Sequence, residues 1–238
     1  TGRIWKVDVP GGAQSAIRQE VKQLLGEDFK TKDAATLSAL LHHADMRVRL
    51  KAQFALAGQG KADVFQAALQ QKEHQLARVH AIWGIGQLAR KDAGQAAVLL
   101  PYLTDEDVEI RAQVLKLLGD IRYAAAGDEM IPYLKDASAR VRFFAAEALG
   151  RITHKPAQQA VIDMLIANNE EDVYLRHAGA LALSRFGDAA GLTALSKHPS
   201  KALRIAAVVA LRKMRDPGLA QFLQDGDEFV VTEAARAI

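Results

Sequence analysis

One phrase recurs along the chain and constrains the fold more than any other feature. It consists of a capping residue, an aliphatic residue followed by Arg, then small and aliphatic residues three and four positions apart. It reads Asp45, Val48, Arg49, Ala52, Ala55, Leu56, and returns as Asp107, Ile110, Arg111, Val114, Leu117, Leu118, Gly119. Further copies carry Val141, Arg142, Ala145, Ala148, Leu149, Gly150, then Asp172, Leu175, Arg176, Gly179, Ala182, Leu183, then Ser200, Leu203, Arg204, Ala207, Ala210, Leu211. A copy at His74 keeps Arg78, Ala81, Gly84 and Ile85, and a seventh opens at Asp227 with Val231 where Arg is expected. Successive arginines lie roughly 28 to 34 residues apart, the period of a two-helix repeat.

Each phrase describes one helix. Asp45, Asp107, Asp172, Ser200 and Asp227 stand where an N-cap accepts hydrogen bonds from the first free amides. The apolar positions that follow share one helix face, and the small residues among them permit close approach to a neighbour. Between the phrases the pattern predicts a second amphipathic helix per repeat, over 35–44, 63–71, 96–103, 128–135, 157–166, 190–196 and 219–223. Residues 15–26, with Ile17, Val21, Leu24 and Leu25 on one face, predict an N-terminal capping helix with Ser15 as its N-cap. The expected fold is therefore all-α: a right-handed α-solenoid of about seven two-helix repeats over residues 11–238, one domain with a continuous core. Residues 1–10, Thr-Gly-Arg-Ile-Trp-Lys-Val-Asp-Val-Pro, alternate instead like a short extended strand.

Composition agrees with helices and narrows the chemistry. Half of the residues are hydrophobic while only 6% are aromatic, a balance that disfavours sheet. No apolar run has the length of a membrane span, and no secretory leader is recognisable, so any such signal is expected outside these residues. There is no Cys, which removes disulfides, thiolate metal sites, thiol nucleophiles and covalent haem attachment. The net charge of +3 is spread as interleaved signs rather than in the Lys and Arg blocks of a nucleic-acid footprint.

The phrase, cleanest over Val141–Gly150, resembles the HEAT-like repeats named after the phycobilisome lyases, and the resemblance spans about residues 33–238. It implies a helical solenoid and leaves function open, because such repeats serve as scaffolds, adaptors and occasionally enzymes. The Gly-Arg-Ile-Trp-Lys-Val stretch at residues 2–7 resembles the closing strand of a sugar-dehydrogenase-like β-propeller. In large exported bacterial proteins of the membrane-bound dehydrogenase type, such a propeller is followed by HEAT repeats and a cytochrome c domain. That resemblance implies a segment of a larger exported or periplasmic protein. It carries no haem or cofactor to this chain, whose sequence lacks the Cys-x-x-Cys-His motif.

Residues with chemical potential also have plainer structural roles. None of His42, His43, His74, His80, His154, His177 and His198 stands four residues from another, the spacing of a ligand pair on one helix face, so no metal is expected. The ladder Arg49, Arg78, Arg111, Arg142, Arg176, Arg204 would suit a phosphate track. Its coincidence with the repeat favours stitching of caps and carbonyls. Gly84-Ile-Gly86 neither follows a strand nor opens a helix, so it reads as close packing rather than a phosphate loop. A basic, aromatic-lined groove with a catalytic Asp, as in the HEAT-like DNA glycosylases, is not recognisable.

The positions opposite the core carry the functional expectation. With each Arg at position 0, positions +1 and +5 fall on the far side at 100° per residue and are expected to line an exposed concave face. They hold Leu50 and Phe54, Val79 and Trp83, Ala112 and Lys116, Phe143 and Glu147, His177 and Leu181, Ile205 and Val209. Contiguous exposed apolar surface marks contact sites. The expected partner-binding strip is thus Leu50, Phe54, Val79, Trp83, Phe143, Leu181, Ile205 and Val209, and the expected role is a non-catalytic scaffold for a protein or a neighbouring domain. No cofactor and no nucleic acid are expected, and a HEAT-like lyase or glycosylase with a groove site is the alternative.

Overall fold

The computed structural model describes residues 9–236. Most of the expected extended segment over 1–10, and the last two residues of the seventh repeat, lie outside that range. Val9 and Pro10 lead into a turn at Gly11, φ 75°. Every regular element among the described residues is helical.

The chain forms two compact units, the first up to Gln95 and the second from Ala96. The first contains α1 (Ala16–Gly26), α2 (Ala34–Leu40), α3 (Met46–Gly58), α4 (Ala62–Leu69) and α5 (Gln75–Ala89). Helices α3 and α5 pack on each other as an inner pair, with α2 and α4 outside them. The second contains α6 (Val108–Asp120), α7 (Gly127–Met130), α8 (Ala139–Arg151), α9 (Gln158–Asn168), α10 (Val173–Phe186), α11 (Ala189–Ala194), α12 (Lys201–Met214) and α13 (Glu228–Ala235). Here α6, α8, α10, α12 and α13 pack in succession as an inner layer.

The capping residues work as their chemistry demands. Asp45, Asp107, Asp172 and Asp227 accept from the amides of Arg47, Glu109, Tyr174 and Phe229 at 2.8–3.0 Å, and Ser200 accepts from Leu203. Ser15 occupies the N-cap of α1 as expected, yet its side chain makes no cap hydrogen bond. Several outer segments differ from the expected α-helices. Residues Ala93–Thr104 and Pro217–Gln224 are 3-10 helix, and α7 and α11 pass into 3-10 turns at Ile131–Lys135 and Leu195–Lys197. Pro101, Pro132 and Pro217 explain part of this, since proline cannot donate the i→i−4 bond and clashes with the preceding turn.

The small residues have two distinct jobs. A Cβ on Gly119 would lie 2.6 Å from the Cα of Ala148, and one on Gly150 would lie 2.8 Å from the Cα of Ala182. Glycine therefore sets the approach of α6 to α8 and of α8 to α10. At Gly84 and Gly179 the space is filled instead by bulk from an outer helix, the Phe65 ring and the Leu165 side chain. Both residues are buried, so the Gly84 site is close packing inside α5.

The arginine ladder is structural. Arg49, Arg111, Arg142 and Arg204 each donate through Nη1 to the carbonyls six and five residues earlier, at 2.6–3.2 Å. Each thereby ties the start of its inner helix to the end of the outer segment before it. Arg111 and Arg204 also reach the next repeat, pairing with Asp136 at 3.2 Å and with the buried carboxylate of Asp225 at 2.7 Å. Arg78 donates to Leu69 O at 2.8 Å, and Arg176 pairs with Glu170.

Five inner helices end with a residue at positive φ, eleven places past the repeat arginine: Gly60, Arg122, Thr153, Gly187 and Arg215 (49 to 60, 111 to 122, 142 to 153, 176 to 187, 204 to 215). This is the left-handed closing residue of a helix, which glycine fills without steric cost. Arg122, Thr153 and Arg215 adopt it with φ of 55°, 56° and 56°.

Candidate protein-interaction groove

The second unit carries two hollows that share Tyr174. The larger, about 490 Å³, is walled by Val173, Tyr174 and His177 of α10, Ile205 and Val209 of α12, and Phe229 of α13. The smaller, about 300 Å³, holds Phe143 and Phe144 of α8 against Tyr174. The caps explain why these side chains stay outside. Asp172 fixes the first turn of α10 through the amides of Tyr174 and Leu175, and Leu175 is buried. At 100° per residue the two preceding side chains must then turn away from the core. Val173 and Tyr174 are accordingly 54% and 72% exposed, and Phe229 behind Asp227 is 42% exposed.

Charge in the groove is neutralised locally. Arg140 forms a two-pronged pair with Glu109 at 2.9 and 3.0 Å and stacks 5.1 Å over the Phe144 ring. Arg212 pairs with Glu233 at 3.3 Å, and Lys201 pairs with Asp227 at 2.7 Å. The Lys201 hydrogen bond, with the amides of Val230 and Phe229, holds the Asp227 carboxyl below its ordinary range. A carboxylate kept ionised this way serves as a cap and makes a poor proton acceptor for catalysis. The chemistry on offer is aromatic and aliphatic contact edged by guanidinium groups.

The structure separates the expected strip. Phe143 lines the smaller hollow, and Ile205 and Val209 form part of the larger. Leu181 is half-buried on α10. In the first unit Phe54 is 55% exposed, and Leu50 and Trp83 are half-buried. Two members are corrected: Val79 and Ile205 are buried, with Ile205 only 1% exposed. In α5 and α12 the +1 position turns into packed neighbours, because these helices are covered on more sides than a two-layer pattern assumes. Eight of the 14 residues of α12 are buried.

The sequence pattern missed a second row. Met46, Leu76, Val108, Val173, Tyr174 and Phe229 are all large, apolar or aromatic, and exposed, and all lie two or three places before the repeat arginine or its equivalent. An aliphatic or aromatic residue one or two places after the capping residue was the available signal. That position overlaps the cap phrase, which hides its exposure in the sequence.

A family model described as HEAT repeats matches residues 62–128 and 96–184, together just over half of the chain. The chain belongs to the HEAT-repeat family. Among solved structures, this HEAT-repeat chain is similar to YibA of Escherichia coli, at 17% identity and TM-score 0.55 over 98% of this chain and 88% of that one. It is similar to the CpcE–CpcF complex of phycocyanin lyase from Nostoc sp. PCC7120, at 17% identity and TM-score 0.53, covering 89% of each. An engineered protein matches at 20% identity and TM-score 0.51 over 85% of this chain, which spans 66% of that protein's length. At these identities the likeness is one of fold. Curated protein sequences give no significant match.

Four histidines of the HEAT units hold loops and core together. His43 and His198 accept from the amides of Asp45 and Ser200 at 2.9 and 3.1 Å, and His154 bonds Asp128 at 2.8 Å. His80 is buried, bonded through Nδ1 to Gln53 Oε1 at 2.8 Å, with the Trp83 ring edge-on 5.0 Å away. Burial, aided by the Arg49 charge, pushes its pKa down to about 4. Among the described residues no three His, Asp or Glu side chains converge as a metal site would require. No helix there is long and apolar enough to cross a membrane.

Proposed function

We propose that this HEAT-repeat chain is a non-catalytic interaction scaffold whose Tyr174 groove holds a segment of a partner protein or a neighbouring domain of its own polypeptide. One observation carries the reading: Val173, Tyr174 and Phe229 stay exposed beside half-buried Phe143 and Phe144, although an inner helix layer is where such side chains would otherwise be buried. Exposed apolar surface of this kind marks contact sites, and aromatic anchors carry much of interface energy. The exposed Phe54 and half-buried Leu50, Trp83 and Leu181 belong to the same reading as further contact positions. The resemblance of residues 2–7 to a propeller's closing strand supports a β-propeller as the neighbouring domain, in an exported or periplasmic protein.

A photo-crosslinking amino acid placed at Tyr174, in cells that make the chain with its natural neighbours, tests the proposal against the same probe at exposed Gln66 on outer helix α4. A discrete adduct is expected from position 174 and not from 66, and Phe229→Ser is expected to abolish it. Equal, diffuse labelling from both positions would overturn the reading.

A further inference from the structure

We infer that the edge of the second unit formed by the C-terminal ends of α6, α8 and α10 binds carboxylates of an acidic segment of a partner protein. The three ends are brought together by the close glycine contacts of Gly119 with Ala148 and Gly150 with Ala182. They carry four cations, Lys116, Arg122, Arg151 and Arg185, and two carboxylates, Asp120 and Glu147. Both carboxylates are already engaged. Lys116 and Arg151 reach Asp120 at 2.5 and 2.9 Å, and Arg151 also holds Glu147 at 3.1 Å. Among the described residues Arg122 and Arg185 make no ion pair, and the buried Nη1 of Arg185 has no hydrogen-bond partner. A guanidinium is a fork of five donors suited to a carboxylate, and a buried donor without an acceptor is costly.

Cations at helix ends are favoured by the helix dipole, and that accounts for Arg151 and Arg185 in the last turns of α8 and α10. It does not account for Arg122, which stands past the end of α6 in a left-handed conformation. The corresponding positions hold Gly60 and Gly187 but also Thr153 and Arg215, and glycine is the residue that takes this backbone without steric cost. Burial weakens the hold of Arg185 on its proton; Glu147 opposes this, while Arg151 and Arg122 reinforce it. The two guanidinium groups thus repel each other. An incoming carboxylate would offset the charge of both through their accessible donors. The short span and the interspersed Asp120 and Glu147 fit a peptide with a few acidic residues. A nucleic-acid backbone would need a longer track free of carboxylates.

The test uses the full chain and a fluorescein-labelled hexaglutamate peptide, read by fluorescence anisotropy at low ionic strength. Arg185→Gln is expected to weaken binding about tenfold or more, and Arg122→Gly severalfold. Arg122→Gly is also expected to raise the melting temperature by about 2 °C through release of the backbone constraint, so weaker binding there cannot come from a damaged fold. If Arg185→Gln fails to fold, Arg122→Gly decides alone. Lys22→Gln in the first unit and Tyr174→Ser in the groove are expected to bind as wild type, which keeps this edge separate from the groove proposal. The inference is overturned if Arg122→Gly binds the peptide as tightly as wild type, or if Lys22→Gln weakens it equally. It is also overturned if duplex DNA of equal charge displaces the peptide at lower concentration.

Discussion

Acid should destabilise the first unit through one buried side chain. His80 is 2% exposed, donates its Nδ1 hydrogen to Gln53, and has a pKa pushed down to about 4 from an ordinary 6.5. The neutral ring is the form the fold accepts. Below pH 6.5 the unfolded chain takes up a proton that the folded chain refuses, so stability falls as pH drops through that window and the loss levels off near pH 4. The gap between the two values corresponds to about 3 kcal/mol, a large share of the stability of a unit this size. The informative comparison is a Gln53→Leu, His80→Phe double variant, in which both hydrogen-bonding partners are replaced by apolar groups of similar shape. Such paired replacement is close to neutral at pH 7.5 and leaves nothing to titrate at this site. Urea unfolding at pH 7.5 and pH 4.5, followed by circular dichroism, would show the wild type losing about 2–3 kcal/mol more than the double variant over that interval. The carboxylates titrate in both proteins and cancel. Parallel losses in the two would mean that His80 is protonated in the folded state, and the assignment of its burial would be wrong.

Two further outcomes follow from the backbone and the exposed strip. Thr153→Gly and Arg215→Gly, at the left-handed ends of α8 and α12, are each expected to stabilise by about 0.5–1 kcal/mol, read as a rise in thermal midpoint. Phe54→Ser, on a side chain that is 55% exposed, is expected to change stability by no more than about 0.5 kcal/mol. Trp83→Ser is expected to cost about 2 kcal/mol because the half-buried ring packs on His80; equal melts of the two variants would refute this division.

The repeat made the inner helices legible. Val141 with Arg142, or Asp172 with Leu175, states cap, core face and helix start within a few residues, and the structure places those helices within a residue or two of expectation. The outer segments were less legible because Pro101, Pro132 and Pro217 convert short amphipathic stretches into 3-10 turns, which retain the apolar spacing but lose the α hydrogen-bond pattern. Exposure was the hardest property to read. A fixed angular offset from the core assumes that every inner helix is covered on the same sides, whereas α12 is enclosed by α9, α10, α11 and α13. Ile205 is buried for that reason, and Tyr174, one turn earlier in its own phrase, is left outside. The division after Gln95 has no linker composition to announce it, since residues 93–104 read as one more outer segment.

The fastening of each arginine to carbonyls only five and six residues upstream has an evolutionary consequence. The fastener and its anchor points are copied together whenever a whole repeat is duplicated, and lost together whenever one is deleted. Array length can therefore change in steps of a full repeat without any compensating substitution elsewhere. A single-residue insertion between the loop and the inner helix is a different matter: it would swing the guanidinium by about 100° and detach it from both carbonyls. Lengthening such a chain is easier by roughly thirty residues than by one.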